Sequence, residues 1–361
     1  LWKNMSFSTV YDESSFQICD NPAISEIYGQ YVKAFINEGG MDVTKLISVF
    51  DRFYDPKRFF DSPMDYGLVT YNLSKNKPVF MTKKDLKPEM VKDYVVSSAS
   101  CYPAFKPYKI GQDVYIDGGY YDNLPINLAI DMGADEIIAV DLRAVGFKRE
   151  IKTATVPVTV ISPRNKIVSF LVFDRVKSRE ALNFGYNDTM KTFGKLDGNK
   201  YTFKKSNLVK NYNKYSSKFE EKLHHLFESV DSSIMNLIIS TSLFKTIMED
   251  KVSYRNFNKL VEKAGECFGF AEDVVYNIKT YNKGLLNELS ETVSIDKTII
   301  IKKIQNKEFR KIIDTKQVVK FFYEAILKDE IDGTLKFLPI FANEFLIALY
   351  IYIIKGQRST Y

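Results

Sequence analysis

Along the first two hundred positions apolar residues cluster in short runs bounded by turn residues; beyond them the spacing becomes helical. Asn21 to Asn37 places Ile24, Ile27, Tyr28, Tyr31 and Phe35 on one helical face, opened by Asn21-Pro22 and closed by Gly39-Gly40. Tyr66–Leu73 and Pro78–Met81 read as two strands joined by the polar turn Ser74–Lys77, a hairpin. Met90–Ser98 reads as a short helix stopped by Tyr102-Pro103, because proline disfavours helical geometry in the residue before it.

Val114–Ile116 reads as a strand running into Asp117-Gly118-Gly119, and Ile126–Met132 as a helix ended by Gly133. Glu136–Leu142 and Val156–Ser162 are continuous apolar runs of strand length. Such runs are expected where a parallel sheet is covered by helices on both faces. The order strand, helix, strand, strand predicts an α/β fold. From about residue 204 the pattern predicts helices only. Asp314–Leu327 has a capping-box opening at Asp314 and Gln317, then Val318, Val319, Phe322 and Ile326 at helical spacing. The expected division is therefore 1–203, an α/β domain, and 204–361, an all-α domain. The Lys-, Asn- and Ser-rich stretch 201–211 lies between them.

The longest purely apolar stretch, Phe345–Ile354, has ten residues, the length of a buried core helix and too short to span a bilayer. Three cysteines, Cys19, Cys101 and Cys267, lie scattered without a Cys-x-x-Cys pair, which argues against a disulfide scaffold or zinc ribbon and fits a cytoplasmic protein. The net charge is +6, and residues 201–361 carry 25 Lys/Arg against 20 Asp/Glu. That excess is too small and too interspersed for a nucleic-acid partner, while attraction to an anionic membrane surface stays open.

Lys302, Lys303, Lys307, Arg310 and Lys311 share a helical stretch with Ile300, Ile301, Ile304, Ile312 and Ile313. The row suits either a solvated helix whose isoleucines enter the core or a peripheral helix on an anionic membrane. The acids Glu308 and Asp314 interrupt it and favour the first.

Histidine usage narrows the chemistry further. The only two, His224 and His225, are adjacent in a charged helical stretch, where neighbours do not share a face. No metal site and no Ser-His-Asp triad can be assembled from them alone.

Candidate chemistry lies between residues 97 and 125. Ala99, Ser100, Pro103 and Phe105 precede a strand that ends in Asp117, Gly118 and Gly119, with Asn123 and Pro125 close behind. Gly133-Ala134-Asp135 and a strand to Asp141 follow. This string resembles the patatin-like phospholipases, and a second stretch, Phe173-Asp174 through Gly185–Thr189 to Gly194-Lys195-Leu196, is similar to bacterial members of the family.

The resemblance implies a three-layer α/β/α hydrolase domain, truncated at its N-terminus, that acts on acyl esters of phospholipids or related lipids. It also implies a Ser-Asp dyad without histidine and without a cofactor or metal, in keeping with the histidine count. Asp117 would be the catalytic base, Gly118 and Gly119 the sharp turn that aims it, and Asn123 the tether of that loop. An unperturbed aspartate is a poor base for a serine hydroxyl, so the site is expected to bury the carboxylate and raise its basicity.

The family's nucleophile sits in Gly-x-Ser-x-Gly, and no serine here has glycine two residues before and two after it. The elbow is expected upstream of Leu1, which makes this chain by itself inactive. Ser97, Ser98 and Ser100 are read as packing residues at a helix end. The competing reading is a non-catalytic binding or scaffold protein of the same fold.

Overall fold

The computed structural model describes residues 39–42, 44–166, 175–228, 252–305 and 314–356, together with positions 29, 32, 33, 36, 244, 246 and 247. It divides into two compact units, Leu1–Asp188 and Thr189–Tyr361. The division falls upstream of the 201–211 stretch. Of the expected helix Asn21–Asn37, the described positions 29, 32, 33 and 36 are helical, and the rest lies outside the described residues.

In the first unit, α1 (Thr44–Phe53) and α2 (Pro56–Asp61) precede the hairpin β1 (Gly67–Asn72) and β2 (Lys77–Thr82). Asp55 caps α2 by accepting from the Arg58 N–H at 3.1 Å, and Pro56 occupies the first turn. α3 (Val91–Ser98) and β4 (Asp113–Asp117) follow close to the expected positions, with the short strand β3 (Tyr108–Ile110), which was not expected, between them. The four strands form one antiparallel sheet in the order β2-β1-β4-β3. Its register at the site is set by Thr70 opposite Asp117, and the buried Thr70 Oγ1 donates to the Ile116 carbonyl at 2.8 Å. Leu68, Met81, Leu86 and Val91 form the core, with Phe50, Tyr54, Phe59 and Tyr66 packed around them.

α4 (Ile126–Asp131) leads to β5 (Ile137–Val140), which pairs in parallel with β6 (Val158–Ile161). These two strands depart from the expectation of burial on both faces. Ile137 and Ala139 are buried while Ile138, Val140 and Val160 are exposed, so among the described residues only one face is covered. Burial thus alternates with the two-residue period of the strand. The unit is mixed α/β, with an antiparallel four-stranded sheet and a separate parallel pair.

The helix α5 (Arg175–Thr192) runs across the division between units. The second unit begins its own sheet with β7 (Leu196–Asp197) and β8 (Thr202–Lys204). Helices α6 (Asn207–Phe227) and α7 (Tyr254–Cys267) follow, then β9 (Val275–Tyr276), α8 (Ile278–Glu291) and α9 (Lys297–Gln305). The last elements are α10 (Thr315–Lys328) and α11 (Leu338–Lys355). The expectation of helices only is corrected by β9, which joins β8 in parallel at a distance of more than seventy residues. A two-residue strand has no periodicity of its own to read.

α11 is the centre of this unit. Eleven of its residues are buried, and Phe345 and Tyr350 meet Phe227, Phe322 and Phe257 edge to face. The helical segment Asp332–Lys355 is long and apolar enough to cross a bilayer by length and composition, but here its apolar side chains enter a protein core. At its heart Asn211 Nδ2 donates to the Tyr350 hydroxyl (3.0 Å), that hydroxyl donates to Asn282 Oδ1 (2.8 Å), and Asn282 Nδ2 donates to Asn211 Oδ1 (2.9 Å). The ring closes on itself, so three helices share one buried polar junction.

Asp314 caps α10 by accepting from the Lys316 N–H. Ile300 of α9 is buried in the core, while Lys307, Arg310 and Lys311 lie outside the described residues. His224 and His225 are both exposed on the last turn of α6.

Candidate active site

Asp117 ends β4, and its backbone N–H donates to the Ser100 carbonyl at 2.9 Å, which joins the strand end to the turn after α3. Its carboxylate is half-buried and accepts from the Gly119 N–H at 2.7 Å. Burial pushes the carboxyl pKa above the ordinary aspartate value, and the Gly119 hydrogen bond offsets part of that rise. The result is a carboxylate more basic than one in water, with a single backbone donor holding its direction.

The two glycines owe their place to space. Neither has a positive φ, so left-handed backbone is not what calls for glycine here. A Cβ on Gly118 would lie 2.2 Å from the Val69 carbonyl oxygen, and one on Gly119 would lie 3.1 Å from both Asp117 Oδ1 and Asn123 Oδ1. Gly118 therefore lets the turn press against β1, and Gly119 lets its N–H reach the carboxylate.

Asn123 tethers the loop to a more distant partner. Its Nδ2 donates to the Ala144 carbonyl (3.3 Å) and its backbone N–H to the Phe147 carbonyl (2.6 Å). Phe147 in turn donates its N–H to the Gly119 carbonyl at 2.9 Å. Gly146 approaches Asn123 so closely that a Cβ would lie 2.9 Å from its side chain. The segment after β5 is thereby stitched to the last residue of the Asp-Gly-Gly turn and to the loop that follows it.

The apolar residues of that segment wall a cleft of about 510 Å³ that has Asp117 on its lining, with Tyr102, Tyr120, Val145 and Phe147 among the walls. Cys101 also lines it; burial and the Asp117 charge both push its thiol up, against thiolate formation. Val145, Gly146, Phe147 and Tyr120 were not singled out by sequence reasoning. Only a glycine set between two large apolar residues hinted at the first three.

The three serines near the site are occupied elsewhere. Ser97 Oγ donates to the Tyr94 carbonyl (2.9 Å), Ser98 Oγ to the Val69 carbonyl (2.7 Å) and Ser100 Oγ to the Val96 carbonyl (2.8 Å). Each hydroxyl has one proton to give, and each gives it to backbone. Ser97 and Ser100 are buried as well.

Residues 17–130 match the model of the patatin-like phospholipase family. The chain carries a patatin-like phospholipase domain. Asp117, Gly118, Gly119 and Asn123 all fall inside the matched stretch, while β5, β6 and the whole second unit lie beyond it. No curated protein matches the chain. Among the described residues, no cluster of three or more His, Cys, Asp and Glu side chains could hold a metal ion.

Proposed function

We propose that the patatin-like domain hydrolyses acyl esters of lipids, with Asp117 as the general base for a serine nucleophile other than Ser97, Ser98 and Ser100. The observation that carries this reading is a half-buried, basicity-raised carboxylate on the wall of an apolar cleft. In the forward step Asp117 takes the serine proton as the oxygen attacks the ester carbonyl. The alkoxide leaving group is released with that proton, and the acyl group remains on serine. Water then repeats the step in reverse, Asp117 first accepting and then returning a proton, and the fatty acid leaves.

The apolar walls suit the acyl chain, and the Gly119 N–H holds the carboxylate in line without neutralising it. A non-catalytic acyl-binding role is the second reading, favoured by the fact that all three neighbouring serine hydroxyls are committed to backbone. The experiment is fluorophosphonate labelling and ester hydrolysis with the protein as its own gene encodes it, alongside Asp117→Asn. The amide still accepts from Gly119 but cannot take a proton, so turnover is expected to fall by about 10²- to 10⁴-fold. Near-normal turnover in the variant would sink the role of Asp117. Absence of both labelling and turnover in the parent would favour the binding reading.

A further inference from the structure

The segment joining β5 to β6 has an unusual surface. From Leu142 to Lys152 every residue is exposed, and Val145 (95%), Phe147 (66%) and Leu142 (64%) stand largely in solvent, with Ile151 behind them. Water-exposed apolar side chains this close together are uncommon on a soluble surface and mark contact sites.

They are not exposed through slackness. Besides the ties from Phe147 to Gly119 and Asn123, Asn127 Nδ2 donates to the Glu150 carbonyl (2.8 Å) and the Lys152 N–H donates to Asn127 Oδ1 (2.9 Å). Arg149 Nε donates to the Tyr121 carbonyl (3.1 Å), and its guanidinium lies 3.8 Å from the centre of the Tyr121 ring. Backbone ties on both sides hold the apolar tip outward.

The same eleven residues carry Arg143, Lys148, Arg149 and Lys152 against a single acid, Glu150. Lys148 pairs with Asp141 and Lys152 with Asp131, but both ammonium groups stay substantially exposed, and such solvated pairs are weak. Arg143 and Arg149 flank the tip with no acid at salt-bridge distance among the described residues. A protruding apolar tip ringed by cations is complementary to one kind of surface, a bilayer with anionic headgroups: the apolar side chains enter the acyl boundary and the cations meet phosphate.

We propose that residues 142–152 are a membrane-docking loop for anionic lipid surfaces. Val145, Gly146 and Phe147 are shared between this tip and the wall of the Asp117 cleft, so docking would set the cleft's lip against lipid. The inference stands on the surface itself and not on the catalytic role of Asp117.

The test is co-sedimentation of the full chain with vesicles of phosphatidylcholine alone and with one third phosphatidylglycerol. Binding is expected to the anionic vesicles, to weaken as NaCl rises from about 0.1 to 0.5 M, and to fall about tenfold in Val145→Asp, whose side chain touches no core. Arg143→Glu should reduce binding to anionic vesicles while leaving the circular dichroism spectrum unchanged. As a direct readout, Val145→Trp emission should be quenched by brominated lipid beyond the background of Trp2. Asp117→Asn should bind vesicles as the parent does, which separates docking from hydrolysis. Vesicle binding that is absent in the parent, equal in Val145→Asp, or silent in the tryptophan readout would overturn the proposal. Concentration-dependent dimers abolished by Val145→Asp, without vesicle binding, would assign the tip to a second copy of the chain instead.

Discussion

Replacing Gly118 by alanine puts one methyl group where the structure has no room for it. The added Cβ would lie 2.2 Å from the Val69 oxygen and 2.7 Å from its carbonyl carbon, whereas ordinary contact begins near 3.4 Å. The gap must therefore open by about 1.2 Å. The obstructing atoms are backbone of β1, so no side-chain rotation relieves the clash. β1 is bonded on both edges, to β2 and to β4, and Thr70 opposite Asp117 fixes its register.

The strain is then shared between strand and turn, at a cost of about 3 kcal/mol, the upper end for overpacking. For a unit of this size that corresponds to a fall in melting temperature of roughly 6 to 12 °C. Scanning calorimetry gives the global value, and amide exchange over Leu68–Asn72 reports whether β1 is the element that yields. Gly185→Ala is the reference: it lies within helix α5, its Cβ meets nothing within 4 Å, and it should gain about 0.5–1 kcal/mol. Because Asp117 precedes the strained residue, a displacement near 1 Å should also lower ester turnover about 100-fold. A Gly118→Ala protein that melts within about 1 °C of the parent, with unchanged exchange in β1, would refute the steric argument.

The other predictions concern charge and the buried polar ring. Since Asp117 must be ionised to act as a base and burial raises its pKa, the acid limb of the ester hydrolysis rate should lie above the ordinary aspartate value of 3.8; a limb at or below that value counts against Asp117. The same raised pKa makes the ionised carboxylate a cost to folding that grows as pH rises from the unfolded-state value of 3.8 through the folded-state value and then levels off, so Asp117→Asn should gain stability relative to the parent over that interval and hold the gain above it, measured by urea midpoints from pH 4 to 8. In the second unit Tyr350→Phe leaves the Asn211 amide without its acceptor and Asn282 Oδ1 without that donor, and should cost about 1–3 kcal/mol in urea unfolding at unchanged slope. A loss under about 0.5 kcal/mol would mean that the two asparagines re-pair with each other or with water.

What the sequence determined by itself is local. The hairpin, α3, β4 and α4 are visible because alternation, turn residues and proline or glycine stops act over a few positions, and the structure places them within a residue or two. Asp117, Gly118, Gly119 and Asn123 were legible as a group through the resemblance of their short string to the patatin-like phospholipases, since an Asp-Gly-Gly turn after a strand is by itself an ordinary turn. The same locality misled where the cause was distant. Val-Ile runs in β5 and β6 look alike whether one face or two are covered, and which face is covered depends on elements elsewhere in the chain.

Only the tertiary structure decided why Gly118 is glycine, since the Val69 carbonyl that excludes a Cβ comes from a strand some fifty residues earlier. It also decided what Asn123 holds, because the carbonyls of Ala144 and Phe147 belong to the next strand connection. The pairing of β9 with β8, and the ring of Asn211, Asn282 and Tyr350, join residues 68 or more positions apart. Each of these rests on a hydrogen bond or a contact that folding creates between residues with no local relation, so no window of the sequence contains it.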